Sequence, residues 1–227
     1  MILAIETSTP HGSVALLSGE TILAKTLLPA GRQASETILA AVDALFRDTG
    51  SESSGVSHVA VSAGPGSFTG LRVGMAAAKG FCFGLGAGIV PVPTLHALAL
   101  RFPFSGGTVC PVLDAKKNEV YAALFRWEKD GPSRLLPDMA VAPEALTDRV
   151  GCGTVLFCGD GAFSFRAFFR ERLGESAVFP PAGEGRPDAS AVGLLAARIV
   201  RGGAATDART LVPAYLRSSE AELKRRG

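Results

Sequence analysis

The sequence predicts an α/β protein built from two similar halves, and three observations support this class. Apolar runs of strand length come first as a meander and then alternate with segments of helical period. An apolar run that ends on an acid, followed by a polar turn and a returning strand, occurs twice along the chain. The 227 residues are 47% hydrophobic, which is enough apolar surface for a sizeable core.

The first half opens with a three-strand meander, because three apolar runs follow one another with only short polar turns between them. The next segment repeats its apolar residues at helical intervals, which predicts one amphipathic helix with Ser35 as N-cap and Gly50 at its end. The residues predicted to face the core are Ile38, Leu39, Val42, Leu45 and Phe46. The predicted elements are strands MILAIE, SVALLS and ETILAKTLL, helix 36–49, a strand at 56–64, a glycine-rich helix from Ser67 to Leu85, strand GIVPVP and helix TLHALALRF.

The second half begins with TVCPVLDAKKNEVYAALFRW, which repeats the order of the first half and places Asp114 where the first half has Glu6. Its boundary is predicted near Ser105-Gly106-Gly107, which divides the chain into residues 1–105 and 106–227. The later predicted elements are a strand and tight turn in GTVLFCGDG, a helix in SFRAFFRERLG and a helix in DASAVGLLAARIVRGG capped by Asp188 or Ser190.

Several function classes are disfavoured by composition and by motifs that the sequence lacks. A formal net charge of +2 is too small to indicate nucleic-acid binding by itself, and no segment reaches the roughly 18 uninterrupted apolar residues of a membrane span. Four cysteines without a C-x-x-C pair indicate a reduced, cytosolic protein. The phosphate loop, the dinucleotide fingerprint, the G-x-S-x-G elbow and an H-x-x-x-H metal pair are all missing.

The glycine-rich helix carries small residues at four-residue spacing, although each glycine in a helix interior costs about 1 kcal/mol relative to alanine. Such rows allow a neighbouring backbone to approach closely. That neighbour lies either within the same chain or in another subunit, and we expect at least one row to serve a subunit interface. The two rows are Gly66, Gly70, Gly74 and Ala78, and Ala76, Gly80, Gly84 and Gly88.

Two acids end predicted buried strands, as catalytic or Mg²⁺-binding carboxylates often do. Glu6 and Asp114 are therefore candidates for such a role, and the alternative is that each one caps a turn. The turn Gly159-Asp160-Gly161 could likewise contact a ligand or serve only as a turn.

Nearly the whole chain resembles the TsaB (YeaZ) family. The resemblance is carried by ILAIETS, SAGPGSFTGLRVGMAAAKG, VPVPTLHALA, LDAKKNEVYAALF and PAYLRSSEAELK, of which the GPGSFTGLRVG block is the most specific. It implies an actin-like (ASKHA) fold of two ribonuclease-H-like subdomains. These would be residues 1–105, with partner-binding helices, and residues 106–227.

The resemblance also implies a function in tRNA modification. Members of this family pair with the catalytic paralogue TsaD, which transfers a threonylcarbamoyl group to the adenosine next to the anticodon, and the ATPase TsaE joins the assembly. Because this chain lacks the histidine pair of TsaD, it resembles the non-catalytic, cytoplasmic subunit, which contacts tRNA indirectly and forms a homodimer when alone. The alternative is an independent enzyme, either an ASKHA-type ATP-dependent kinase or a peptidase.

The family resemblance also assigns candidate sites. Glu6 and Asp114 would be the remains of a nucleotide site, since their turns are filled with side chains and Pro10 removes a backbone donor. We therefore expect no tightly bound cofactor and no metal, and we leave open weak binding of ATP or ADP with Mg²⁺ in the complex. The expected partner interface comprises Gly70, Arg72, Gly74, Ala78, Gly80 and Gly84. The basic tail residues, which either contact tRNA or form a solvated helix end, are Arg217, Lys224, Arg225 and Arg226.

Overall fold

The chain divides into two compact units in a computed structural model. The first unit comprises Met1–Ala97 and Pro187–Pro213, and the second comprises Leu98–Arg186 and the segment that begins at Ala214. The structure describes residues 1–29, 34–103, 106–181, 184–203 and 208–216, without the side chains of residues 34–36. The basic tail residues therefore lie outside the described residues.

The first unit is built on a five-stranded sheet in the order β3-β2-β1-β4-β5. The predicted meander β1 to β3 is antiparallel, and β4 and β5 extend the sheet in parallel beside β1, so that Ile5 lies between Val14 and Val61. The elements are β1 (Ile2–Glu6), β2 (Ser13–Ser18), β3 (Thr21–Leu27), α1 (Ala34–Thr49), β4 (His58–Gly64), α2 (Phe68–Leu85) and β5 (Gly88–Pro93). Each of these elements occurs where the sequence predicts it, although Ser35 lies inside α1 and is not its N-cap.

The second unit has a five-stranded sheet in the order β10-β9-β6-β7-β8. It repeats the first sheet strand for strand, because an antiparallel meander is again followed by two parallel strands beside its first member. The two-half prediction is therefore confirmed at the level of topology. Helix α3 (Thr94–Leu100) contains the division between the units, after Ala97. The elements that follow are β6 (Thr108–Lys116), β7 (Glu119–Glu128), β8 (Gly131–Val141), α4 (Pro143–Thr147), β9 (Val155–Cys158), α5 (Asp160–Ser164), α6 (Arg166–Leu173) and β10 (Ala177–Val178).

The last helix corrects the predicted division at residue 105. Helix α7 (Ala189–Arg201) packs on β1 and β2 and belongs to the first unit, so residues 106–227 do not form one subdomain. Asp188 is its N-cap, as one of the two predicted alternatives, and its carboxylate accepts a hydrogen bond from Lys25 Nζ at 2.7 Å. The Ala189 amide donates to Ser13 Oγ at 2.9 Å. These polar contacts tie the end of the chain back to the first sheet.

Each unit has its own apolar core. In the first unit, α1 and α2 cover one face of the sheet, where Ile38, Val42 and Leu45 are buried against strand residues. In the second unit, Phe157 and Phe169 stack with their ring centroids 4.4 Å apart. Within the described part of the chain, no helix is long and apolar enough to cross a membrane.

Candidate functional site

The turn that follows β1 is organised by a buried acid. Glu6 is 0% exposed, and its Oε1 accepts hydrogen bonds from the Ser8 amide and the Ser8 hydroxyl, each at 2.5 Å. Its Oε2 accepts a hydrogen bond from the Ser62 hydroxyl on β4. Burial raises the pKa of Glu6, and the hydrogen bonds from Ser62 and Ser8 act in the opposite direction. The carboxylate thus binds its own turn to the neighbouring strand.

The first glycine row of α2 packs against this turn. A Cβ added at Gly66 would lie 2.6 Å from Ser8 O, and one added at Gly70 or Gly74 would lie well under 3.0 Å from an oxygen of Thr7. Real Cβ atoms essentially never approach so closely, so these positions require glycine for space. The Thr7 hydroxyl also donates to Gly70 O at 2.8 Å.

The partner of the first row is therefore the turn of the same chain. Gly70 and Gly74 contact Thr7, and Ala78 is fully buried in the core of the first unit. Gly74 and Ala78 are buried and so offer no surface to a partner, whereas the half-buried Gly70 stays a predicted interface residue. The sequence offered no means to separate the two rows, because both have the same spacing and the same small residues.

The second row faces open space at Gly80 and Gly84, whereas Gly88 begins β5 and a Cβ added there would lie 3.0 Å from the His58 ring. A Cβ added at Gly80 or Gly84 would meet no atom within 4 Å, and both glycines are exposed. Beside them, the Phe83 side chain is 94% exposed and that of Leu39 on α1 is 68% exposed. A groove of about 360 Å³ between α1 and α2 is lined by Ile38, Leu39, Ala77, Gly80 and Phe81. We call this surface the α1–α2 face.

Two apolar residues of this face differ from the sequence prediction. Leu39 is predicted to face the core, but it points to solvent while Ile38 beside it is 2% exposed. Phe83 was not singled out, although an aromatic residue between Gly80 and Gly84 lies next to a row of small residues. That combination was the available signal. Arg72, predicted at the rim, is exposed on α2 with its guanidinium carbon 3.8 Å from the centroid of the Phe68 ring.

In the corresponding turn of the second unit, a lysine binds the acid. Both carboxylate oxygens of Asp114 accept hydrogen bonds from Lys116, one from its amide and one from its ammonium group, each at 2.7 Å. Burial pushes the pKa of Asp114 up, but the Lys116 contacts outweigh it and hold the pKa below its usual value. Asp160 begins α5, where a tight turn was expected, and its Oδ1 accepts hydrogen bonds from the Asp114 and Gly161 amides.

In both turns, backbone amides that could face a phosphate are hydrogen-bonded to acids of the same turn. The Ser8 amide is bound by Glu6, the Lys116 amide is bound by Asp114, and Pro10 has no N–H. The space that the glycines of α2 leave open is filled by Thr7 and Ser8. Among the residues that the structure describes, no group of three or more His, Cys, Asp or Glu side chains is arranged to hold a metal ion.

Sequence comparison assigns the chain to a known family. A family profile for TsaD, tRNA N6-adenosine threonylcarbamoyltransferase, matches residues 28–225. The tRNA threonylcarbamoyladenosine biosynthesis protein TsaB of Bacillus subtilis is 30% identical over 227 residues, which cover 98% of this chain and 96% of that protein.

Solved structures agree with the sequence comparison. YeaZ from Pseudomonas aeruginosa is similar with a TM-score of 0.79 and 26% identity, over 95% of this chain and 99% of that one. The ADPNP-bound activator of the 2-hydroxyisocaproyl-CoA dehydratase from Clostridium difficile matches with a TM-score of 0.53 and 13% identity, over 91% of this chain and 98% of that one, and shows the fold alone. The predicted α/β, actin-like (ASKHA) fold is confirmed. On sequence and on structure, the chain belongs to the TsaB (YeaZ) family, within the wider TsaD group that the profile describes.

Proposed function

We propose that this chain is the non-catalytic partner of TsaD in threonylcarbamoyl transfer to the adenosine next to the anticodon of tRNA. The observation that carries the proposal is the α1–α2 face, where Phe83 and Leu39 are exposed beside two glycines that no described residue covers. Membership of the TsaB family supports the choice of TsaD as the protein that covers it.

Exposed apolar surface is unfavourable in water. Phe83 and Leu39 are both largely exposed next to an apolar groove, so a partner that removes them from solvent lowers the free energy of the complex. The absence of side chains at Gly80 and Gly84 allows a helix of the partner to approach the α2 backbone closely, which increases dispersion contacts. Arg72 contributes a polar contact at the edge of this interface.

The proposal makes the chain a subunit and not an enzyme by itself. It lacks the H-x-x-x-H pair expected of the catalytic paralogue, and its Glu6 and Asp114 turns are occupied by side chains of the chain itself. TsaE joins the assembly, tRNA is contacted through the complex in the cytoplasm, and the same α1–α2 face pairs two copies when TsaD is absent. We propose that any ATP or ADP with Mg²⁺ binds weakly, and only in the complex.

The direct test is co-purification with the TsaD of the same cell, followed by a tRNA modification assay with and without this chain. We expect a stable pair, and modification that depends on adding the chain. Full modification by TsaD and TsaE without it would contradict the proposed function.

A pair of matched variants tests the face itself. Phe83→Asp places a charge in the proposed contact, and we expect it to weaken binding to TsaD by more than tenfold. Leu135→Asp introduces the same charge at another exposed apolar residue, 39% exposed on β8 of the second unit, and should bind as the wild type does. Equal binding by both variants would exclude the α1–α2 face as the docking surface.

A further inference from the structure

We infer that the turn formed by Glu6, Thr7 and Ser8 fixes the rotation of α2 about its own axis and thereby determines which residues form the α1–α2 face. The inference rests on the proposed function, because the face matters for binding only if TsaD docks there. It assigns Thr7 and Glu6 a positioning role at a distance from the partner.

The turn Glu6–Ser8 and the start of α2 are held together by shape and by hydrogen bonds, and we call this contact the interlock. Thr7 fills the space left by Gly70 and Gly74, and its hydroxyl donates to Gly70 O at 2.8 Å. The Ser67 amide, at the N-cap of α2, donates to Ser8 O at 2.7 Å. The first two turns of the helix are therefore held by contacts that depend on direction.

The interlock permits only one rotation of the helix. Successive residues of an α-helix are about 100° apart, so a rotation that moves Gly70 away from Thr7 brings Leu71 or Val73 toward it. Both of these carry side chains, and the space beside Thr7 does not accept even one Cβ. Phe83 follows Gly74 by nine residues, or about 900°, which places it half a turn away from the interlock. Holding Gly74 against the turn therefore holds Phe83 toward solvent.

The turn is itself rigid. Thr7 and Ser8 are each 2% exposed, and the Glu6 carboxylate binds the Ser8 amide, the Ser8 hydroxyl and the Ser62 hydroxyl. This arrangement ties the turn to β4, an interior strand of the sheet. Glu6 therefore fixes the position of α2 relative to the sheet.

Core packing alone specifies the rotation less sharply. Farther along α2, the fully buried residues are Met75, Ala78 and Cys82, all small or flexible side chains, and Phe81 and Leu85 pack against the same core only in part. Apolar contacts of this kind do not depend on direction, and methionine adapts to altered surroundings. The hydrogen-bonded interlock at the start of the helix therefore contributes the orientation.

Cys82 is a natural reporter of this rotation. It adjoins Phe83, its side chain is 5% exposed, and burial raises the pKa of its thiol to about 11. Both properties slow its reaction with an alkylating reagent. A rotation of α2 that turns Phe83 inward brings Cys82 toward solvent or the groove, so its alkylation rate reports on the helix without any partner.

The experiment compares alkylation of Cys82 in full-length variants, with the exposed Cys152 replaced by serine in all of them. Gly70→Ala pushes the helix off the turn, and we expect at least fivefold faster labelling at a temperature where the protein is fully folded. Thr7→Val, which keeps the shape and removes the hydroxyl, should give a smaller increase, and Thr7→Ser should restore the wild-type rate. Leu17→Ala, whose side chain is 0% exposed on β2 beside Gly193 of α7, is the control for lost stability and should label slowly.

Binding to TsaD is measured on the same variants at the same temperature. We expect Gly70→Ala to lose at least tenfold in affinity and Leu17→Ala to remain within twofold of the wild type. Unchanged labelling of Cys82 in both Gly70→Ala and Thr7→Val overturns the inference, as does faster labelling with wild-type affinity. If the wild type itself fails to bind TsaD, the proposed function is wrong, and the labelling rates still decide whether the turn sets the rotation.

Discussion

The two units pack a helix against the sheet in the same way. In each unit, the helix that follows the first parallel strand, β4 or β9, places a glycine against the first strand of the meander or the turn that follows it. Gly70 of α2 contacts Thr7, and Gly161 of α5 would place a Cβ 2.7 Å from the carbonyl carbon of Leu113. The repeat is thus visible in a steric detail as well as in strand order.

The units differ in the acid and in the helix. Glu6 is buried and hydrogen-bonded to its turn and to β4, whereas the Asp114 side chain is 28% exposed and bound by Lys116. Helix α2 continues for 18 residues and ends in the exposed α1–α2 face, whereas α5 has only 5 residues. The comparison teaches that a duplicated topology can expose an apolar helix surface in one copy alone, because only the longer helix extends beyond the contact with the turn.

The largest expected effect concerns the shared interlock. Gly70→Ala should lower the free energy of unfolding by roughly 2 kcal/mol, because the clash with the Thr7 backbone exceeds the gain in helix propensity. Gly161→Ala should be destabilising by less, since its contacts are longer. Urea unfolding measures both.

Gly80→Ala is the matched control for the interlock. It makes the same change on α2 in open space and should raise stability by about 0.5 to 1 kcal/mol. If Gly70→Ala has the stability of the wild type, the turn and the helix can move apart more easily than the distances between them indicate.

The second effect separates the two faces of α2. Gly84→Leu adds a large side chain to the α1–α2 face, so melting should be unchanged or slightly higher while TsaD binding weakens by more than tenfold, about 1.4 kcal/mol. Gly74→Leu should instead melt early, because overpacking against Thr7 costs roughly 1 to 3 kcal/mol. Calorimetric melting and a binding titration distinguish them. If both variants melt early but bind TsaD normally at low temperature, α2 does not form the interface with TsaD.

The third effect separates the two acids by their pH dependence. The folded-state pKa of Glu6 lies above its ordinary value of 4.5, so its contribution to stability is fully present below that pH and is lost as the pH rises through the raised pKa. Glu6→Gln should therefore gain stability relative to the wild type as the pH approaches neutrality.

Asp114 should behave with the opposite sign. Its pKa in the folded state is below the ordinary 3.8, so its contribution is present above that pH and is lost as the pH falls through the lowered pKa. Asp114→Asn should lose a small amount of stability at neutral pH, and the loss should disappear in acid. Unfolding midpoints measured from acid to neutral pH test both variants. If the midpoints of the two variants change with pH in the same way, the two acids contribute to stability in the same way.

The smallest expected effect is nucleotide binding by the isolated chain. Because amides in both turns are bound by their own side chains, ATP with Mg²⁺ should bind more weakly than the micromolar range in calorimetry. Micromolar affinity that is abolished by Glu6→Ala or Asp114→Ala would show that these turns rearrange to admit phosphate.

Several elements could be predicted because their signals are local. The meander, the helices α1 and α2 and the start of the second half follow from apolar periodicity and turn residues, which act over a few neighbouring positions. Strand β8 was not assigned, since Pro132 and Pro137 interrupt its apolar pattern and it lies at the edge of the sheet. The assignment of α7 to the first unit required long-range contacts such as that between Lys25 and Asp188.

The sequence by itself determined the order of strands and helices in the first half, the duplication and the presence of two rows of small residues along α2. Only the tertiary structure decided that Gly70 and Gly74 face the Thr7 turn while Gly80 and Gly84 face solvent, and that Glu6 is buried while Asp114 is not. The physical reason is that periodicity fixes which residues share a helix face, whereas the rotation of that helix against the sheet depends on contacts between residues more than sixty positions apart.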